Sequence, residues 1–394
     1  MPLAIAGVLI AAAMMMVMAS AGNKFTERSR LVNAADAAAY IGAVWTARHL
    51  NFIAYTNRAM VANHVGAGHF IAYVSWIRYI EDTTGNLALV TSFIPVVNAA
   101  TEAVADFATL LRELAEVEAE IFVPGVDILN RLYFVAQAEA HLSLVINSVD
   151  DVMQQTVDDV DADVSINDQG AIGNFDPQIG VPIRFAIGAQ RLIVPLFVRP
   201  LSVVDRDNEL VNFAEATYGA QVANVRGEMS TEWLLDRGFE VDAFLVEVEK
   251  EFETEHTLSN DLSDWEAEDE LVFRKLPASP AGSVTEITLG RGSASATEFD
   301  DSYRGIFAYY GQTLFEPGNH TLPILALATK DQAAAGVAEG AIGILSEGVL
   351  SGLSVSQVEF RRPRLGFAVF GDDSEEFANL YNPFWQARLV SSGI

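Results

Sequence analysis

The sequence predicts an α+β protein: a very long N-terminal apolar helix continuing into a helical region, followed by a β-rich C-terminal domain. Three observations predict it. No charged residue occurs from Pro2 to Asn23, and no proline between Pro2 and Pro95. Helix formers with apolar residues at helical spacing dominate to about residue 160. After Asp161, short β-branched and aromatic segments alternate with Gly, Pro, Asn and Asp. These divide the chain into an apolar membrane or filament-core helix (1–23), a helical stalk and bundle (24–160) and an exposed β-rich domain (161–394).

The run Leu3–Ala21 is Ala, Ile, Leu, Val and Met with one Gly and one Ser. A bilayer core takes about 20 apolar residues as a helix. Nothing basic precedes the run and the run is long, so it reads as a retained anchor rather than a cleaved signal. Lys24, Arg28 and Arg30 follow it, and the positive-inside tendency opposes export of that end. From Leu3 to about Val65 the helix would run on the order of 90 Å, with Gly66 and Gly68 as the first break. A second helix is expected over Ala67–Ile80, stopped by Asp82-Thr83-Thr84-Gly85. A third covers Leu87–Phe122 and ends at Pro124-Gly125. A fourth runs from Val126 to about Val160. Beyond it, Pro182–Val204, Val222–Met229, Val241–Val248, Leu271–Leu276, Val284–Leu289, Ile306–Tyr310, Leu322–Ala328 and Val355–Phe360 read as strands.

The chain has 394 residues, a net charge of −29 and a pI near 4.4. A surface this acidic repels nucleic acid and anionic headgroups. No cysteine is present, which excludes disulfides, zinc–thiolate sites, iron–sulfur clusters and a cysteine nucleophile. The catalytic motifs are missing too. His64 and His69 are five apart, so HExxH is absent, and no P-loop, GxSxG or SxxK occurs. The histidines read as structural, and Gly290-Arg291-Gly292-Ser293 reads as a loop. No enzyme and no resident cofactor are expected. One cation site is a candidate: Asp161, Asp163 and Ser165 alternate as in the first half of an EF-hand loop. The sixth position is Ile166 and the twelfth Ile172, which departs from that pattern. Asp300-Asp301 and Asp372-Asp373 are weaker candidates for calcium. The acidic run Glu249–Glu255 reads as an exposed face.

Three stretches carry a family resemblance. The first is Thr26-Glu27-Arg28-Ser29-Arg30-Leu31-Val32-Asn33-Ala34-Ala35-Asp36-Ala37-Ala38-Ala39-Tyr40 after the apolar helix. The second is Leu50-Asn51-Phe52-Ile53-Ala54-Tyr55-Thr56-Asn57-Arg58-Ala59-Met60-Val61-Ala62-Asn63. The third is Val358-Glu359-Phe360-Arg361-Arg362-Pro363, then Leu380-Tyr381-Asn382-Pro383-Phe384-Trp385-Gln386-Ala387-Arg388-Leu389. Together they resemble the TadG-like group of bacterial Tad/Flp (tight-adherence) pilus-associated, pilin-like proteins. The resemblance implies insertion in the inner membrane, with the remainder outside, and the pilus assembly machinery as a partner. Pilins commonly carry Glu at the fifth mature position, where Ile5 stands here.

The expected self-assembly helix uses Leu3, Ile5, Gly7, Leu9, Ile10, Ala12, Met14, Met16 and Val17. Small residues allow close helix approach, and methionines fill a curved, repeated interface. The expected function is a pilin-like subunit whose partners are copies of itself in an extracellular or cell-surface helical filament. The alternative is a membrane-anchored envelope accessory or binding protein that assists pilus assembly or surface adhesion.

Overall fold

A computed structural model describes residues 2–91, 95–146, 148–173, 175, 177–202, 238–243, 246–256, 264–275, 284–306, 308–312, 321–332, 334–335, 349–361 and 378–390. Side chains are described at these positions except 2–4, 89–91, 95–100, 146, 202, 243, 246 and 253–256. The fold is α+β, with a long apolar N-terminal helix that continues into helical structure and antiparallel sheets after it. The helices are α1 (Pro2–Thr91), α2 (Pro95–Ile146), α3 (Val149–Asp158), α4 (Gln169–Ile172), α5 (Pro177–Leu196) and α6 (Ala296–Phe299). The strands are β1 (Ser165–Ile166), β2 (Val198–Ser202), β3 (Phe239–Ala243), β4 (Val246–His256), β5 (Trp265–Lys275), β6 (Thr285–Ser295), β7 (Ala308–Gln312), β8 (Thr321–Asp331), β9 (Val349–Phe360) and β10 (Trp385–Val390). The chain divides into two compact units, residues 1–55 with 137–199 and 310–394, and residues 56–136 with 200–309.

The first unit is built on an antiparallel sheet in the order β1-β8-β9-β10. The early part of α1 lies on one face. Its buried positions Leu31, Ala35, Ala38, Ala39, Ala43 and Ala47 follow helical spacing. A side chain at Gly352 of β9 would come within 2.8 Å of the Leu31 and Val32 backbone, and one at Gly42 within 3.1 Å of Ile324 and Met153. Small residues therefore set the distance between helix and sheet. On the other face, Ile172 and Ile187 pack on Leu327 of β8.

The run Pro182–Val204, expected as a strand, is mainly helix α5 and only then β2. Its buried residues Gly180, Ile187, Gln190 and Val194 lie on one helical face, and this burial against β8 outweighs the β-branched composition. An apolar run of this kind does not distinguish strand from helix by itself. The fourth expected helix is divided. α2 ends at Ile146, and Ser148 opens α3 through a capping box with Asp151.

The second unit packs the later part of α1 and the first part of α2 on the antiparallel sheet β3-β4-β5-β6. Its core joins Ala67, Ile71, Val74 and Ile77 of α1, Ala115, Ala119 and Val123 of α2, Trp265 of β5 and Tyr303. Gly66 and Gly68 do not break α1. A Cβ at Gly68 would stand 2.6 Å from the Trp265 ring, so this glycine admits an indole rather than a turn. α1 also runs through Asp82–Gly85, where the Thr83 and Thr84 hydroxyls donate to the Tyr79 and Ile80 carbonyls. Pro124 lies inside α2. It removes one backbone donor, offset by burial of Val123 and Val126 beside it.

Gly290–Ser293, expected as a loop, is part of β6. Gly290 and Gly292 share one strand face and meet α1 directly, at Thr83 and at the Ser75 and Tyr79 backbone. Glycine inside a strand marks such a close approach. Of the remaining expected strands, Val222–Met229 lies outside the described residues. Val241–Val248 falls on β3 and β4, and the other expected strands fall on β5 to β9.

Helical side chains and one loop residue take backbone groups at exposed edges of β6, β8 and β10. Asn51 of α1 donates to the Trp385 carbonyl at 2.9 Å and accepts from its N–H at 3.0 Å, acting as a one-residue strand partner for β10. Asp82 accepts from the Arg291 N–H and Asn86 donates to the Leu289 carbonyl on β6. Beyond the two-residue β1, Gln190 and Asn167 take the Leu325 and Leu327 backbone groups of β8.

Candidate functional site

The apolar end of α1 is the feature the packing leaves unfinished. Ile5, Leu9, Ile10, Met14 and Met16 are 58–64% exposed, and Val8, Met15 and Met18 on other sides of the helix are at least as exposed. Ala12 is exposed and Val17 half-buried. A side chain at Gly7 would meet nothing. Leu3 is helical, with its side chain outside the described residues. An apolar helix exposed all round is stable only in lipid or among other apolar helices. Burying these side chains is worth on the order of 10 kcal/mol at about 25 cal/mol per Å2. α1 is long and apolar enough near its N-terminus to cross a membrane. α5 passes the same length and composition test, but one of its faces is packed on β8.

A charged clamp holds the base of this helix. Lys330 of β8 is buried, and its ammonium lies 2.7 Å from Asp161, 3.8 Å from Glu27 of α1 and 4.0 Å from Asp163. Arg30 pairs with Glu27 one turn further along. The residues proposed for a cation, Asp161 and Asp163, therefore face an ammonium group. Ser165 lies on β1, where its carbonyl accepts from the Thr329 hydroxyl. Among the described residues, no group of three or more His, Asp or Glu side chains could hold a metal ion. Asp300 caps its own turn by accepting from Ser302, and Asp372-Asp373 lies outside the described residues. The hydrogen bond from Lys330 holds the Asp161 carboxyl below the usual carboxylate range, and the bond to Asp161 raises the Lys330 ammonium.

The sign of the pH dependence follows. Asp161 contributes stability that is present above its unfolded pKa of about 4 and is lost as pH falls through its lower folded value. Lys330 contributes stability that is present below its unfolded pKa of about 10.4 and is lost as pH rises through its higher folded value. Thermal unfolding from pH 2 to 6 should show an acid-dependent loss that Asp161→Asn reduces. An unchanged acid limb in that variant would count against the clamp.

The histidines of α1 serve packing. His64 is fully buried beside Trp265 and Tyr303. Its Nδ1 lies 3.1 Å from the Tyr303 hydroxyl, and its carbonyl accepts from the Trp265 indole at 2.7 Å. Burial raises the Tyr303 hydroxyl. His49 and His69 each lie within hydrogen-bond distance of the carbonyl four residues earlier, and burial lowers His49. His256 and His320 have no described side chain.

Sequence reasoning missed a buried ion pair inside the acidic run. Lys250 meets Asp269 at 2.6 Å, and Ser75 donates to the same carboxylate. Alternation along β4 signals it: Glu247, Glu249 and Glu251 share one face with Arg274, and Lys250 lies on the other. Of the run Glu249–Glu255, expected as an exposed face, Lys250 is buried and Glu251 exposed, and the side chains from 253 onward lie outside the described residues. The Asn51–Trp385 contact was also unforeseen. It joins two of the three sequence blocks that carry the family resemblance, and nothing in either block announces the pairing.

Residues 1–45 match the family described as "Tad: Putative Flp pilus-assembly TadE/G-like". The match covers the apolar end of α1, its charged base and the start of its packed face. It agrees with the TadG-like resemblance read from the sequence and ties the chain to Tad/Flp pilus systems. No curated protein and no solved structure matches the chain.

Proposed function

We propose that the chain is a non-catalytic, pilin-like subunit that waits in the inner membrane through the apolar end of α1. It then packs that helix against the same helix of other copies in an extracellular filament. The exposure of Ile5–Met18 around the helix, set on a clamped base, carries this reading. Lipid satisfies such a surface first. Neighbouring copies satisfy it later, because Gly7, Ala11 and Ala12 permit close approach and the methionines adapt to it. No charged residue occurs from Pro2 to Asn23, so this stretch brings no carboxylate into the contact.

The absence of cysteine makes the test clean. In assembled surface fibres, Ala12→Cys should give a disulfide-linked dimer of this chain, and Ala11→Asp should abolish fibres that contain it. Fibres that lack the chain, or that form normally with Ala11→Asp, would instead favour an anchored accessory protein.

A further inference from the structure

A second apolar surface lies on α2. Phe107, Leu110, Leu114, Val117 and Ile121 are each more than half exposed. They recur at intervals of three, four, three and four residues, the 3.5-residue period of a helix–helix seam. The opposite face of the same turns, Ala108, Ala115, Ala119 and Val123, is buried in the core. α2 is therefore apolar on two faces and covered on one. Asp106, Glu113, Glu118 and Glu120 flank the exposed seam and are themselves exposed.

The flanking charges decide what can cover it. An α2 seam from another copy would set carboxylates against carboxylates, and anionic lipid would meet the same repulsion. The matching surface lies on α5. Val181, Phe185 and Leu192 are exposed along one face, and Gly188 between them meets open space. α5 contains no acidic residue, and its exposed Arg184 and Arg191 border that face. Arg191 is already paired with Asp150, whereas Arg184 donates to the Gln169 carbonyl. The α2 seam spans about 21 Å and the α5 face about 17 Å at 1.5 Å per residue. Together they offer on the order of 1,000 Å2, the size at which a specific contact begins.

We infer that the acidic-flanked seam of α2 docks on the α5 face of a second copy of this chain. Each copy carries both surfaces, so the contact is heterologous and can extend from copy to copy. The inference rests on the reading that copies assemble, and it supplies a contact outside the apolar core of the filament.

The test uses the full-length chain in detergent, which shields the end of α1. Leu114→Cys and Phe185→Cys are made separately at exposed positions, with folding checked by circular dichroism. Mixed under mild oxidation, they should give a hetero-disulfide at least ten-fold more abundant than either homo-disulfide. Arg184→Glu in the Phe185→Cys chain should reduce it about ten-fold, and Glu113→Lys with Glu120→Lys in the Leu114→Cys chain should restore it. A Leu114→Cys homo-disulfide formed as readily as the mixed product would overturn the inference in favour of a symmetric contact. No mixed disulfide, while Ala12→Cys still links in fibres, overturns it and leaves the filament reading standing. A mixed disulfide without the Ala12→Cys link overturns the α1-core reading alone and supports the α2–α5 contact.

Discussion

Gly292→Ala is expected to prevent the second unit from reaching its native packing. The added Cβ would stand 2.1 Å from the Ser75 carbonyl oxygen and 2.3 Å from the Tyr79 amide nitrogen. Both are helix backbone, so no side-chain rotation relieves the overlap and β6 has to move away from α1. That shift opens the core around Ile71, Val74 and Trp265. It also separates Asp82 and Asn86 from the strand edge they satisfy. Ordinary overpacking costs about 1–3 kcal/mol. A backbone collision that also strips edge hydrogen bonds should cost about 4 kcal/mol or more, enough to unfold a marginal domain. Gly85→Ala is the control. It lies in the same helix with open space around the new carbon, and it should stabilise by roughly 0.5–1 kcal/mol. Denaturant unfolding of both variants checks the pair. Equal stabilities would refute the close approach of β6 to α1.

Lys250→Met should cost about 3–5 kcal/mol, because it strips a buried carboxylate of its counter-ion. The Asp269 side chain is fully buried and Lys250 nearly so. The Lys250 ammonium also lies 4.8 Å above the Tyr79 ring, which adds a cation–π term. The double variant Lys250→Met/Asp269→Leu should recover most of the loss, since replacing both members of a buried pair by apolar groups is often near neutral. Ser75 keeps the Gly292 carbonyl as an acceptor in that background. Denaturant midpoints for the two variants decide the matter. A double variant no more stable than the single one would mean that the pair is not an isolated electrostatic unit.

These positions mark where the sequence was legible and where it was not. The uninterrupted apolar start of α1 and the change of pattern after Asp161 gave the α+β order directly, because both are long signals of one periodicity. The misreadings cluster where a tertiary neighbour reverses a local rule. Gly68 is a helix breaker by propensity and a seat for Trp265 in fact. Gly290 and Gly292 have a loop's composition, yet they let a strand lie flat on a helix. Pro182 and its β-branched neighbours form a helix because burial on β8 selects that face. For the candidate site, the apolar helix was readable by length and composition alone. Its clamp was not, since Glu27, Asp161 and Lys330 are far apart in the chain and each is ordinary in isolation.

The closure of sheet edges by Asn51, Asp82, Asn86, Asn167 and Gln190 has a consequence for life at high local concentration. Copies of a chain held close together can meet strand to strand, and unpaired edges recruit one another without regard to register. Here single carboxamides and one carboxylate occupy those backbone groups. Sheet-to-sheet pairing is blunted at these edges. The edge residues thus act as insulation against strand-to-strand pairing between chains.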